Sequence, residues 1–148
     1  MDKQFDRIYK EYSSMVYRIG ILFFKSAHFA EDVVQDCFLK LFTTSPNITD
    51  ERHLKGWLIV TARNICRNLI KKNSRIVPLD ENIPFFDKDN DVLRAIMTLK
   101  EKDRTVVYLH YYEGFTTKEI AAAMRATDGA IRARLKRARL QLKNYLEE

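Results

Sequence analysis

The sequence predicts an all-α protein: two small helical domains, residues 1–75 and 92–148, joined by a flexible linker at 76–91. Three observations carry this expectation. Apolar residues recur at spacings of three and four through both halves, the period of a helix with one buried face. The stretch IVPLDENIPFFDKDND breaks that period, holding two of the three prolines and a run of acid. Near the C-terminus, a capping box, a short turn and a second helix follow one another in the layout of a helix-turn-helix. A chain of 148 residues with a 46% hydrophobic share can give each half a modest core.

The first helix is marked by Phe5, Ile8, Tyr9, Tyr12, Met15, Val16, Ile19, Leu22 and Phe23. A short connection around Ser26 to Phe29 leads to a second, carrying Ala30, Val33, Val34, Cys37, Phe38, Leu41 and Phe42. Glu31 and Asp32 are expected in its first turn, where the helix dipole favours negative charge. TTSPNITDER, residues 43–52, is expected to be an exposed loop: Pro46 disfavours helix at Ser45, and Asn47, Thr49 and Asp50 compete for backbone hydrogen bonds. From about Glu51 the period returns in Leu54, Trp57, Leu58, Thr61, Ile65 and Leu69, predicting a longer third helix to about Ser74. The linker that follows is unusually apolar, with Ile76, Leu79, Ile83, Phe85 and Phe86, which suits docking on either domain or on a partner.

Beyond Asp91 the pattern predicts a short helix with Leu93, Ile96 and Met97, then one from about Glu101 with Val106, Val107 and Leu109 that stops near Gly114. Thr116 and Glu119 form the capping box of a small-residue helix, Thr117 to Met124. Thr127 caps the last helix, from Asp128, whose buried stripe is Ile131, Leu135, Ala138, Leu142 and Tyr145.

The net charge of +6 divides unevenly: residues 1–75 carry +5, 76–91 carry −4 and 92–148 carry +5. Two basic bodies flanking an acidic connector suit a polyanion that touches both halves, because each phosphate neutralised releases counterions. An anionic membrane surface would suit the charge too, but no stretch is long and apolar enough to span a bilayer. The N-terminus, MDKQFDRIYKEY, lacks the basic start and apolar run of a signal peptide, so a cytoplasmic protein is expected. Cys37 and Cys66 form no CxxC pair, and His28, His53 and His110 are scattered, so no metal site and no cofactor are expected; both thiols are expected in the core.

Three faces are candidates for function. Asp32, Gln35, Asp36 and Leu39 share a side of the second helix away from its apolar residues. That strip is either a solvated face or a docking face for a basic protein partner. Its carboxylates raise metal-dependent nuclease chemistry, for which no His or Lys stands at a fitting spacing. On the third helix Arg63, Arg67 and Lys71 fall four apart, with Asn64, Asn68, Lys72 and Arg75 nearby. This predicts a basic, amide-bearing strip away from Leu58, Ile65 and Leu69, able to grip phosphates and unpaired bases. Trp57 belongs to the apolar face as a core anchor, with an edge still able to meet a base. The last helix carries Arg132, Arg134, Lys136, Arg137, Arg139 and Lys143 mostly off its apolar stripe, with a polar first turn able to enter a major groove.

AEDVVQDCFLKLF and HLKGWLIVTARNICRNLIKKNSR, residues 30–42 and 53–75, resemble region 2 of extracytoplasmic-function sigma factors of the sigma-70 family. LKEKDRTVVYLHYYEGFTTKEIAAAMRATDGAIRARLKRARLQLK, residues 99–143, resembles their region 4. The resemblance implies that Asp32, Gln35, Asp36 and Leu39 dock on the polymerase clamp, and that Thr43, Thr44, Ser45 and Asn47 belong to a loop capturing a base of the minus-10 element. It implies that Arg63, Asn64, Arg67, Asn68, Lys71 and Lys72 follow the strand being opened. Thr127, Asp128, Ala130, Arg132, Arg134 and Arg137 are implied to lie on the helix that reads the minus-35 element. The implied partners are bacterial RNA polymerase core, promoter DNA and an anti-sigma factor, with no small-molecule substrate and no covalent catalysis. The chain departs from the family pattern at Arg125, where the turn usually has Gly, so a left-handed arginine is expected at a cost of roughly 1 kcal/mol. It departs again at Lys100 and Glu101, where a Pro pair usually starts the helix. A rival reading is a sigma-like DNA-binding regulator that never partners core; a small metal-dependent nuclease is another.

Overall fold

The computed structural model describes residues 3–24, 26–72 and 91–147, with side chains from Arg94 onward in the last stretch. The apolar linker residues fall outside the described residues. Every regular element among the described residues is an α-helix. The chain divides into two compact units, Met1–Glu81 and Asn82–Glu148.

The first unit holds α1 (Lys3–Phe24), α2 (Ala27–Thr44) and α3 (Glu51–Lys72). Val16, Ile19 and Leu22 of α1 share the core with Val33, Cys37 and Phe38 of α2 and with Leu58, Ile59, Ala62 and Cys66 of α3. Both thiols are reduced and buried as expected, and burial pushes the Cys37 thiol up to about 12. The close packing of α1 on α2 depends on Gly20: a Cβ added there would lie 2.8 Å from the Ala30 Cα. Aromatic edges continue the contact outward, Phe5 against Phe38 and Phe42, and Tyr9 against Phe38. At the other seam the Tyr12 hydroxyl donates to Glu51 of α3, and Arg7 bridges Glu11 at 2.8 Å and Glu51 at 3.1 Å.

Two expectations about α2 are corrected. The connection before it is shorter than Ser26 to Phe29: Ala27 is already helical, and the first helical bond runs from Ala30 N to Ser26 O. Glu31 and Asp32 therefore lie in the second turn, beyond the reach of the unpaired amides that make the dipole effect strong. The helix also continues through Thr43 and Thr44, both expected in the loop. Pro46 restricts only the residue before it, and the two threonine hydroxyls donate back to Leu39 O and Lys40 O, at 2.9 and 2.6 Å. Ser45 ends the helix in the left-handed region, φ 43°. Asp50 then opens α3, its carboxylate accepting from the His53 amide at 2.7 Å.

The second unit holds α4 (Asp91–Met97), α5 (Glu101–Tyr111), α6 (Thr117–Met124) and α7 (Asp128–Glu147). Ile96, Val106, Val107, Leu109, Phe115, Ile120, Ile131 and Leu135 form its core. Gly114 turns the chain at φ 73°, which lets the Phe115 amide reach back to Leu109 O at 2.9 Å. The capping box forms as the sequence predicts: the Thr116 hydroxyl accepts from the Glu119 amide and the Glu119 carboxylate from the Thr116 amide. Arg125 is left-handed, φ 53° and ψ 47°, and the Ala126 amide closes the end of α6 onto Ala121 O. Thr127 caps α7 through the Ala130 amide at 3.1 Å. The expected stripe of α7 holds at Ile131, Leu135 and Ala138, is half-buried at Leu142 and does not extend to Tyr145, which is exposed.

Candidate functional site

The docking candidates stand together on the outer side of α2. Gln35 and Asp36 are exposed, Asp32 is half-exposed with His28 3.7 Å away, and Leu39 is 59% exposed. A spacing of three and four puts all four on one face, because the residues between them, Val33, Val34, Cys37 and Phe38, turn into the core. Phe42 and Tyr9 are also exposed, so the acidic strip borders apolar surface. Carboxylates beside exposed leucine and aromatics suit a basic protein face with an apolar centre.

On α3, Asn64, Arg67, Asn68, Lys71 and Lys72 are exposed, a cationic and amide-bearing face of more than two turns. Arg63 does not join them. It is 2% exposed, and its guanidinium lies over the Phe23 ring, 5.8 Å from the centroid. The reason is helical phase: Arg63 stands four after Ile59 and three before Cys66, both buried, so a four-residue spacing to Arg67 was not enough to place it outside. Trp57 is half-buried, consistent with an anchor whose edge reaches solvent. The hydroxyls of Thr43, Thr44 and Ser45 are occupied by carbonyls of α2, while Asn47 is exposed in the loop beyond.

The helix-turn-helix presents Thr127, Ala130, Arg132 and Arg137 outward, with Asp128 half-buried at the start of α7. Asp128 accepts from the Thr117 hydroxyl with one carboxylate oxygen and pairs with Arg132 Nε at 3.0 Å with the other. Arg134 does not face outward with its neighbours: it turns to α5 and pairs with Asp103 at 2.7 Å, its side chain 29% exposed and that of Asp103 12%. Arg139 is likewise engaged on α5, donating to the Tyr111 hydroxyl with its guanidinium over that ring.

Asp103 and Tyr111 were not singled out from sequence, and Thr117 only as the start of a helix, though the three hold three of the charged side chains of α7. A signal existed for Asp103, which precedes the buried Val106 and Val107 by three and four residues and therefore shares their face. Beside it Arg104 is also buried, donating to Met97 O at 3.4 Å, and burial lowers its pKa from the ordinary arginine value. Among the described residues no group of three or more His, Cys, Asp or Glu is placed to hold a metal ion. Among them, too, no helix is long and apolar enough to cross a membrane.

Comparison with known proteins places both units in one family. The family model for Sigma-70 region 2 matches residues 8–76 and that for Sigma-70 region 4 matches residues 89–142. The chain is 27% identical to the ECF RNA polymerase sigma factor SigE of Mycolicibacterium smegmatis, over 95% of this chain and 61% of that one. It is 25% identical to the RNA polymerase sigma-H factor of Pseudomonas aeruginosa, over 98% of this chain and 87% of that one. With ECF sigma factor SigM of Bacillus subtilis it shares 26% identity, over 93% and 92%. Among solved structures, its fold is similar to that of the sigma factor RpoE of Bartonella quintana, crystallised with the anti-sigma factor NepR. The TM-score is 0.82 at 23% identity, covering 99% of this chain and 98% of that one. With two regions matched in order across most of its length, the chain belongs to the sigma-70 family, in its extracytoplasmic-function group.

Proposed function

We propose that this chain is a sigma subunit of bacterial RNA polymerase: it binds the core enzyme, carries it to a two-part promoter and opens the DNA there. One observation carries the reading above the others. Region 2 and region 4 occur in order, and each unit turns outward the side chains its target requires, an acidic and apolar face on α2 and cationic faces on α3 and α7.

In this reading Asp32, Gln35, Asp36 and Leu39 meet a basic face of the core enzyme. Asn64, Arg67, Asn68, Lys71 and Lys72 track the strand of the minus-10 element, their cations releasing counterions from its phosphates. Thr43, Thr44, Ser45 and Asn47 close on an unpaired base, offsetting the unstacking cost that opening incurs. Arg63 supports α3 from beneath, through Phe23 of α1, and does not touch DNA. Thr127, Asp128, Ala130, Arg132 and Arg137 face the minus-35 element, while Arg134 holds α7 on α5. The work is binding and melting, with no covalent catalysis, cofactor or small-molecule substrate, and it takes place in the cytoplasm with the polymerase. An anti-sigma protein is the further partner, as NepR is for RpoE.

The docking face separates this reading from a DNA-binding regulator that never partners core. Asp36→Arg combined with Gln35→Ala changes exposed side chains only, so the helical circular dichroism is expected to stay as in the parent. Binding to core polymerase is expected to fall at least tenfold, as like charges meet across the interface. Unchanged core affinity would contradict the sigma reading and favour the regulator.

A further inference from the structure

Arginine reads guanine best when its planar fork is held in place before DNA arrives, because a long flexible side chain otherwise loses rotamer freedom on binding. Arg132 meets that condition. Its Nε is 3.0 Å from Asp128 Oδ2, one helical turn before it, which leaves both terminal nitrogens for another acceptor. The other carboxylate oxygen of Asp128 is held by the Thr117 hydroxyl, from the first turn of α6. The carboxylate is thus fixed by the neighbouring helix and in turn fixes the guanidinium. Asp128 is half-buried, whereas the Arg132 side chain is 67% exposed, so the anchored end lies in the seam and the fork points to solvent. Arg134 and Arg139, committed to Asp103 and Tyr111, are not arranged this way.

We propose that Thr117 and Asp128 are positioning residues that set Arg132 to read one guanine of the upstream promoter element through O6 and N7. This rests on the reading of α7 as the minus-35 helix. Asp128 contributes selectivity rather than affinity, because a carboxylate at the start of a helix facing DNA is repelled by phosphates while it orients the arginine. The chain of contacts also makes the selectivity depend on the packing of α6 against α7, since Thr117 belongs to one helix and Arg132 to the other.

The test uses the full chain bound to core polymerase and a promoter library randomised across the upstream element, with transcripts sequenced to score each base. The parent protein is expected to select guanine at one position. Arg132→Ala should lower that preference roughly tenfold, at that position alone. Thr117→Val and Asp128→Asn should each lower it about threefold, with Thr117→Ser restoring it. Unchanged guanine preference in Thr117→Val and Asp128→Asn overturns the proposal, as does a loss spread evenly over all positions. A parent protein that transcribes but selects no guanine overturns it too. No transcript from any fragment overturns the sigma reading, and this proposal with it.

Discussion

Two arginines show how charge type and location part company. Arg63 and Arg134 belong to rows of cations along their helices, yet each is turned inward, onto Phe23 and onto Asp103. Arg63→Ala is expected to cost about 2–3 kcal/mol in denaturant unfolding, for a lost cation–π contact and the buried stem that covers the core. Arg67→Ala, an exposed neighbour, should stay within about 0.5 kcal/mol and act instead on DNA binding. Equal stability losses at the two positions would contradict the inward placement. Asp103→Ala should cost about 2 kcal/mol, less than a fully buried pair, since Arg134 keeps some exposure to water. These placements were only partly legible in the sequence. The phase of Arg63 between Ile59 and Cys66 points inward, but a row of basic residues at four-residue spacing points outward, and only packing decides between them. That Arg134 faces α5 depends on how two helices cross, which no local pattern records.

At the scale of elements, most boundaries were legible because the residues that end helices act locally. The capping box at Thr116, the cap at Thr127, the Gly114 stop and the left-handed Arg125 all follow from side-chain or backbone chemistry within a few residues. The start of α2 did not: Ala27 to Phe29 are already helical, and the first turn leads into Ala30, which packs against Gly20 of α1, a contact between helices. Replacing Gly20 by Ala should therefore destabilise the protein by about 1–3 kcal/mol, through overpacking against the Ala30 backbone. Arg125→Gly should have the opposite sign. Relief of the left-handed strain is worth about 1 kcal/mol, read as a higher Tm for the unfolding of the second unit. The seam between α1 and α3 carries a pH dependence. The Tyr12 hydroxyl and then Arg7 hold Glu51 below the usual carboxylate range, so its stabilising effect is present above the unfolded carboxylate value and is lost as pH falls through the lower folded one. Glu51→Gln should flatten the stability profile on the acid side, and an unaltered profile would remove Glu51 from the account.

Over the whole molecule, charge is distributed as a nucleic-acid binder with two contact regions requires, +5 at each end about an acidic middle. The outer face of α2 adds, among the described residues, an acidic and apolar surface that DNA would not favour. Fold class, two-part organisation and the three candidate faces were legible because each rests on a repeating pattern over several turns. The roles within each face rest on single side chains, whose neighbours come from other helices, and so needed three dimensions. In the proposed function both units act together at one promoter. The most direct measurement of this is run-off transcription with purified protein, sigma-free bacterial core polymerase and a library of promoter-like fragments at moderate salt. Transcripts starting a fixed distance below a shared two-part motif are the predicted result. Core polymerase that transcribes with another sigma factor but yields no transcript with this protein would contradict it.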